Sequence, residues 1–293
     1  AQLAKGLVAQ GVGKGTRIGF IFGNSPSFML MLIAIARIGA IAIPVSTFIK
    51  SNELIRVLRQ SDIQGLIVQR SLLGNDYVER LCDALPRLNT QSDSTLFFEE
   101  TPYLRWVASS GDNLPASIRH IDSLYQAGES ITEELLVSIE SEVHATDQVM
   151  EIYTSGSMAA PKGVKHTHGA LMFRTAFIAP RQDVEPGTQG PVPMPMFWVG
   201  GLIMYAMPNL LIGATSLCTE GTSTHSQMAM GVVLAEEDLA AMPRNKTTWA
   251  MGMTETLGPY SYGNDYRLPG YPLCPPLDNI ADRYEVRVVD DQG

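Results

Sequence analysis

Apolar and polar positions alternate early in the chain between short strand-like runs and longer segments with helical spacing. The apolar run from Arg17 to Phe22 predicts a strand. Asn24-Ser25-Pro26 then predicts a helix start, because serine caps a helix N-terminus and proline suits the first turn. We expect this helix to run from Ser27 to Ile38 and to end at Gly39.

The same alternation continues directly afterwards. Ala40 to Val45 predicts a second strand, Ser51 is expected to cap a helix through Gln60, and Gly65 to Val68 predicts a third strand. This order of strands and helices favours a parallel sheet with helices on its faces. The predicted fold class is therefore α/β.

Two later segments are less regular. Thr95 to Ser130 is polar and poorly periodic, which predicts a surface excursion. Met196 to Leu217 is uncharged over a length that raises the question of a membrane-spanning helix. Its glycines, with Pro208 and Asn209, favour a buried strand–helix–strand segment, so we expect no integral membrane association.

Composition narrows the class of protein further. With 45% hydrophobic and 17% charged residues over 293 positions, the chain is long and apolar enough for a sizeable core. A net charge of -9 argues against a broad nucleic-acid-binding surface, which needs clustered lysine and arginine. The scattered Cys82, Cys218 and Cys274 indicate neither a disulfide framework nor a zinc site, so we expect a cytoplasmic protein.

One loop carries the chemistry of a phosphate site. Between two apolar segments stand Thr154, Ser155, Gly156 and Ser157, followed closely by Lys162. Glycine and serine let backbone N–H groups converge on an anion, hydroxyls donate further hydrogen bonds, and lysine adds a mobile positive charge. The spacing does not match the P-loop pattern Gly-x-x-x-x-Gly-Lys-Ser/Thr. The alternative is a serine- and glycine-rich surface turn without a ligand.

The stretch from Tyr153 to Val164 resembles the phosphate-loop signature Tyr-Thr-Ser-Gly-Thr/Ser-Thr-Gly-x-Pro-Lys-Gly-Val of the adenylate-forming superfamily, which includes acyl-CoA synthetases, luciferases and peptide-synthetase adenylation domains. Met158 and Ala159 stand where the family has a second hydroxyl and a glycine. The resemblance implies the layered β-sheets of that family's large domain, with helices on their faces, and ATP phosphates bound by this loop.

A second segment, Gly252 to Thr256, resembles the same family's Tyr-Gly-x-Thr-Glu signature. By resemblance, Glu255 coordinates the Mg²⁺ of ATP and Thr254 contacts the α-phosphate, so Lys162, Thr254 and Glu255 are the expected catalytic residues. Met251, with Gly252, would cover the adenine where the family has an aromatic residue. The alternative for Glu255 is a solvated carboxylate near a helix start.

A third segment, Pro195 to Leu202, resembles the edge of the family's acyl pocket. The resemblance places Phe197, Trp198, Gly200 and Gly201 at the pocket, with Trp198 as a gating aromatic residue. An aromatic stripe beside glycines is otherwise more often part of a core.

The resemblance also suggests a domain division. We expect residues 1–293 to form an incomplete N-terminal adenylation domain, with the loop and pocket segments in 1–221 and the Mg²⁺/ATP motif in 222–293. The family's C-terminal lid domain, which carries a lysine needed for adenylation, is expected to be absent. We therefore expect this chain to be weakly active or inactive.

The implied function is ATP-dependent activation of a carboxylic acid, preferably a fatty acid. Pyrophosphate leaves, and the acyl-adenylate is passed to coenzyme A as a thioester. The expected small-molecule partners are the acid, ATP with Mg²⁺, and coenzyme A. Two alternatives stay open, namely a catalytically silent nucleotide- or acyl-binding module and an adenylation domain that loads a carrier protein.

Overall fold

The structure is a computed structural model that describes residues 1–154, 162–182, 184–218, 250–262, 280, 284–285 and 287. Its strands are β1 (Arg17–Ile21), β2 (Ile41–Pro44), β3 (Gly65–Val68), β4 (Ser71–Leu72), β5 (Asn75–Asp76), β6 (Trp106–Ser109), β7 (Ile118–His120), β8 (Gln148–Tyr153), β9 (Gly163–Thr167), β10 (Gln189–Val192), β11 (Thr215–Cys218), β12 (Ala250–Met253) and β13 (Gly258–Tyr262).

The α-helices are α1 (Gln2–Ala9), α2 (Pro26–Arg37), α3 (Ser51–Gln60), α4 (Tyr77–Ala84), α5 (Asp122–Ala127), α6 (Glu133–Ser141), α7 (His168–Ile178), α8 (Val199–Gly201) and α9 (Met207–Ile212). A π-helical segment, Leu202–Ala206, joins α8 to α9. Short 3₁₀ turns cover Pro86–Asn89, Gly128–Ser130, Ala179–Arg181 and Thr254–Thr256.

A seven-stranded sheet in the order β7-β6-β3-β1-β2-β8-β9 organises the fold. Neighbouring strands run parallel, except for the antiparallel pair β8 and β9. The expected α/β class and the early strand and helix order are confirmed. Ser25 caps α2 by accepting from the Phe28 N–H at 3.3 Å. The N-cap of α3 is Lys50 instead of Ser51, and its N–H donates to the Glu53 carboxylate at 3.0 Å.

The core lies on both faces of this sheet. Phe20 belongs to the hydrophobic cluster that includes α1 and α2, whereas its neighbour Ile21 belongs to the cluster that includes α3 and α4. Successive side chains of a strand point to opposite faces, so one strand supplies both clusters. The carboxyl ends of the parallel strands meet at one edge of the sheet, which is where ligands of open α/β sheets bind.

The expectation of a surface excursion over Thr95 to Ser130 is wrong. This segment contains β6 and β7, which extend the central sheet beyond β3, and also α5. All four residues of β6 are buried. A strand that is short and covered on both faces shows no polar alternation, so periodicity did not reveal it.

The strand–helix–strand expectation for Met196 to Leu217 is only partly right. Helical structure runs from Val199 through Ile212, and only the later strand, β11, is present, paired with β10. The π-helical turn comes just before Pro208, whose ring removes a backbone donor inside the helix. Among the described residues, no helix has the length and apolar character needed to cross a membrane.

Candidate functional site

The β8–β9 hairpin fixes both ends of the predicted phosphate loop. Tyr153 pairs with Gly163 across the two strands, and the Thr154 N–H donates to the Lys162 carbonyl at 3.0 Å. Thr154 is half-buried and Lys162 is exposed. Ser155, Gly156 and Ser157 lie outside the described residues, so their predicted phosphate contacts stay predictions.

The hairpin itself contributes one member of a largely buried ion pair. The Glu151 side chain on β8 is almost completely buried and accepts from the Arg17 guanidinium on β1. A Cβ added at Gly163 would lie 2.1 Å from Glu151 Oε1. A side chain at the glycine after Lys162 would therefore have to displace the Glu151 carboxylate.

Tyr153, the last residue of β8, is held in place by Ser61, the C-cap residue of α3. The Ser61 hydroxyl donates to the Tyr153 hydroxyl at 2.7 Å. Burial raises the pKa of Tyr153 to about 12, the Ser61 hydrogen bond opposes the rise, and the nearby Glu151 charge adds to it. The phenol is therefore neutral at physiological pH, and Tyr153 contributes a fixed neutral wall instead of a base.

The second predicted signature forms a tight hairpin. β12 and β13 pair antiparallel, and the turn Thr254–Thr256 joins them. Thr256 Oγ1 closes the turn by donating to the Gly258 carbonyl at 2.7 Å. Thr254 is half-buried and Glu255 is exposed. The side chain of Met251 lies outside the described residues, so its predicted place beside adenine is not tested.

A cavity of about 430 Å³ brings the three predicted segments together. Its described wall comes from the hairpin end of β8, from the pocket segment with the following helix, and from the β12–β13 hairpin. The lining residues are Tyr153, Thr154, Met194, Trp198, Val199, Gly200, Met204, Gly252, Met253, Thr254, Gly258 and Pro259. The volume lies within the usual range for small-molecule sites, and the wall mixes hydroxyls with thioether and aromatic groups.

Two of the predicted pocket residues line this cavity and two lie behind its wall. Trp198 and Gly200 line it, whereas Phe197 is buried in the core and packs edge-on against Trp198 at 5.1 Å between ring centroids. A Cβ at Gly201 would lie 2.2 Å from the Pro195 carbonyl oxygen. Gly201 therefore lets α8 lie directly against the backbone of the preceding Met194–Pro195 segment.

Asn24 holds the pocket segment in place, a role that sequence reasoning missed. Its amide donates to the Met194 carbonyl and its carbonyl accepts from the Met196 N–H, both at 2.8 Å. The sequence patterns that include Asn24 gave it no contact with the pocket segment. Met194, Met204 and Gly258 also line the cavity without any signal in the sequence motifs.

Two histidines follow the phosphate loop, His166 on β9 and His168 at the start of α7. Burial lowers the pKa of His166, while a hydrogen bond with the Thr254 backbone and the charge of Glu255 act in the opposite direction. Burial also lowers the pKa of His168, opposed by the Asp147 charge. Both rings are therefore neutral at pH 7, and His166 links β9 to the second signature.

The described residues contain no cluster of three or more histidine, cysteine, aspartate or glutamate side chains that would form a protein-only metal site. Glu255 is instead a single exposed carboxylate directly after Thr254, which lines the cavity. Mg²⁺ is commonly held by one or two carboxylates together with substrate phosphates. The residues present are compatible with that kind of shared site.

Over about 70% of its length the chain is similar in sequence to known acyl-CoA ligases. The chain is 30% identical over 203 residues to the acyl-CoA ligase sidI of Aspergillus fumigatus, covering 69% of this chain and 33% of that protein. It is 26% identical over 218 residues to the mitochondrial medium-chain acyl-CoA ligase ACSF2 of Mus musculus, covering 73% and 35%. The chain thus spans only about a third of the length of these relatives.

A solved structure, the anthranilate CoA ligase AuaEII in complex with anthranoyl-AMP, matches the whole fold. The TM-score is 0.71 at 17% identity, with 100% of this chain and 60% of that chain covered. At this identity the match supports the fold alone. The family model described as AMP-binding enzyme matches residues 1–243. The chain therefore belongs to the AMP-binding enzyme family.

Proposed function

We propose that this chain forms the ATP- and acid-binding part of a ligase that activates a carboxylic acid as its acyl-adenylate, with release of pyrophosphate. The observation that carries the proposal is that Thr154, Trp198 and Thr254, from three separate segments, line one cavity. A hydroxyl-rich side of the cavity suits phosphates, and an apolar side suits the acid. Membership of the AMP-binding enzyme family supports a cavity that holds both phosphates and an acid.

The proposed roles of the site residues are those that the resemblance to the family implies. Lys162, together with Thr154 and Ser155 to Ser157, would bind the ATP phosphates, and Thr254 would donate to the α-phosphate. Glu255 would hold Mg²⁺ shared with those phosphates. Adenine would lie against Met251 and Gly252. Catalysis would then come from holding the carboxylate in line and neutralising phosphate charge, effects that dominate such transfers.

An apolar acid, preferably a fatty acid, is the proposed substrate. Trp198 and the flexible Met194, Met204 and Met253 line the cavity. Thioether side chains adapt to chains of variable shape, which suits an aliphatic acid. One relative is named a medium-chain acyl-CoA ligase, which supports the same choice.

Coenzyme A is the proposed thiol acceptor, because both relatives are named acyl-CoA ligases. A carrier-protein thiol is the alternative. The division into 1–221 and 222–293 stays a prediction. So does the cytoplasmic location, since one relative is named mitochondrial.

The direct test is calorimetric titration of the chain with Mg²⁺-ATP. We expect binding, and we expect Lys162→Ala to weaken it at least about tenfold, as for loss of a charged hydrogen bond. Lys165→Ala is the matched control, because Lys165 is also exposed and lies three positions along the same hairpin. Equal losses for the two variants, or no binding by the unaltered chain, would contradict the proposed nucleotide site.

A second measurement separates the enzyme from a silent module. Acid-dependent exchange of labelled pyrophosphate into ATP reports adenylation itself. Exchange with fatty acids in a panel that also contains aromatic acids would support the proposed reaction and substrate. ATP binding without exchange, both in this chain and in a version extended by the C-terminal lid of a relative, would favour the silent binding module.

A further inference from the structure

Arg174 is a buried charged residue that no sequence motif identified. It lies on α7 and is 3% exposed. Its Nε donates to the Leu257 carbonyl at 3.4 Å, and its Nη2 donates to the Pro259 carbonyl. Its guanidinium carbon lies 4.8 Å from the centroid of the Phe177 ring and 5.1 Å from that of Tyr284. No carboxylate pairs with it among the described ion pairs, so carbonyls and aromatic faces hold this charge.

The carbonyls that Arg174 binds belong to a strained turn. Leu257 has a φ of 51° and Gly258 a φ of 102°. A leucine in the left-handed region is unfavourable and persists only where the surrounding structure holds it there. The turn directly follows Thr254 and Glu255, so its conformation sets where those two residues lie.

Every carbonyl of this turn from 256 to 259 has a donor. Tyr284 hydroxyl donates to the Thr256 carbonyl at 3.1 Å, and Thr256 Oγ1 donates to the Gly258 carbonyl at 2.7 Å. Arg174 supplies the donors for the two carbonyls that remain, those of Leu257 and Pro259. The Tyr284 ring in turn packs on the guanidinium. Arg174 and Tyr284 therefore act on the turn as a connected pair.

Arg174 also connects two parts of the cavity wall, the hairpin of the phosphate loop and the hairpin of the second signature. α7 begins directly after β9, the strand that leaves the phosphate loop. Arg174 binds the carbonyls on either side of Gly258, those of Leu257 and Pro259. Gly258 and Pro259 line the cavity together with Thr254. A rigid helix thus links the hairpin of the phosphate loop to the hairpin of the second signature.

We propose that Arg174 is a positioning residue, with Tyr284 as its partner, that anchors the turn from 256 to 259 and thereby holds the preceding Thr254 and Glu255 in place at the cavity. The consequence for nucleotide affinity rests on the proposed function, whereas the anchoring of the turn does not. The buried Nη1 of Arg174 has no partner among the described residues. Methionine has an unbranched apolar side chain of similar length, so we expect Arg174→Met to remove the donors while largely keeping the packing.

Hydrogen–deuterium exchange of the full chain tests the anchor without any ligand. We expect Arg174→Met to speed amide exchange in the peptide covering 250–262 at least about tenfold, because hydrogen bonds from a charged donor are lost. Arg181→Met is the matched control. Arg181 also packs on the Phe177 ring, at 3.8 Å, and donates to the Phe177 carbonyl. Unchanged exchange in Arg174→Met, or equal acceleration in both variants, would overturn the proposal.

Titration with Mg²⁺-ATP then tests the consequence. We expect Arg174→Met to weaken binding at least about tenfold, Arg174→Lys to recover part of the loss through the donors of its ammonium group, and Arg181→Met to bind normally. Tyr284→Phe removes only the hydroxyl bond to Thr256 and should give a smaller loss. If the unaltered chain fails to bind ATP, the proposed function fails while the exchange experiment still decides the anchor. Normal binding by a folded Arg174→Met would overturn the positioning role.

Discussion

The Glu151 carboxylate lies so close to the backbone of Gly163 that a Cβ at position 163 would be 2.1 Å from its Oε1. These residues lie on the two strands of the hairpin that carries the predicted phosphate loop, diagonal to each other, because Gly163 pairs with Tyr153 and Glu151 pairs with Lys165. The same carboxylate is paired with Arg17 on β1. The glycine of the loop signature is thereby tied to a buried ion pair in the central sheet.

This relationship predicts that Gly163→Ala destabilises the fold. The added methyl group must displace Glu151 from Arg17, and overpacking or breaking a buried ion pair costs about 1–5 kcal/mol. Urea denaturation measures the change in the free energy of unfolding. Gly13→Ala is the control, because a Cβ at Gly13 meets no atom within 4 Å. A loss in Gly163→Ala no larger than in Gly13→Ala would contradict the close approach.

The two histidines after the loop predict a pH-dependent stability. Burial lowers the pKa of His166 and His168 from the usual 6.5, so below that pH the unfolded state binds more protons than the folded state. The contribution of the two histidines to the free energy of unfolding should therefore be fully present above pH 6.5 and be lost as the pH drops below that value. Urea denaturation at pH 7.5 and at pH 5.5, which is roughly one unit either side of 6.5, measures this fall.

Replacing the buried His166 ring isolates its contribution to the pH dependence of stability. His166→Leu should reduce the fall in stability between those two pH values, whereas His144→Gln, at an exposed position, should not. Asp147, whose charge acts on His168, does not interfere, because a hydrogen bond from Lys14 lowers the pKa of Asp147 below 3.8 and its contribution is lost only at more acid pH. An unchanged pH dependence in His166→Leu would argue that the ring is accessible to protons in the folded state.

Asn24→Ala is expected to loosen the pocket segment. The side chain makes hydrogen bonds at 2.8 Å with both the Met194 carbonyl and the Met196 N–H, and leaving such groups unpaired costs about 1–3 kcal/mol. Binding of an apolar acid should weaken more than binding of Mg²⁺-ATP, since Met194 lies in the apolar wall. Asn52→Ala, on the exposed face of α3, is the control. Equal losses for both ligands would indicate general destabilisation instead.

We predict that Phe48 supports the Trp198 ring through aromatic contacts made from outside the cavity. It is 59% exposed, and its ring centroid lies 5.6 Å from that of Phe197 and 5.9 Å from that of Trp198. Phe48→Ala should change tryptophan emission and lower stability by about 0.5–1.5 kcal/mol, the usual contribution of aromatic pairs. Phe97→Ala, at a 67% exposed position that packs on Arg105, should leave the emission unchanged. Identical spectra for both variants would contradict the support.

The early part of the fold followed from the sequence because its signals are local. The helix start at Ser25-Pro26 and the apolar runs around β1 and β2 depend on residues a few positions apart. The β6 strand did not follow, because Trp106–Ser109 joins the sheet only through pairing with the distant β3. Pattern reasoning has no access to such pairing, in which tertiary context overrides local preference.

The sequence by itself determined the family, the α/β class and the chemistry of each motif, because these are properties of residue types at fixed short spacings. The tertiary structure alone decided that Trp198 and Gly200 face the cavity while Phe197 and Gly201 lie behind it. It also decided that Arg174 binds the carbonyl of Leu257, 83 positions away. Contacts over such separations depend on how whole elements pack, and no local pattern encodes them.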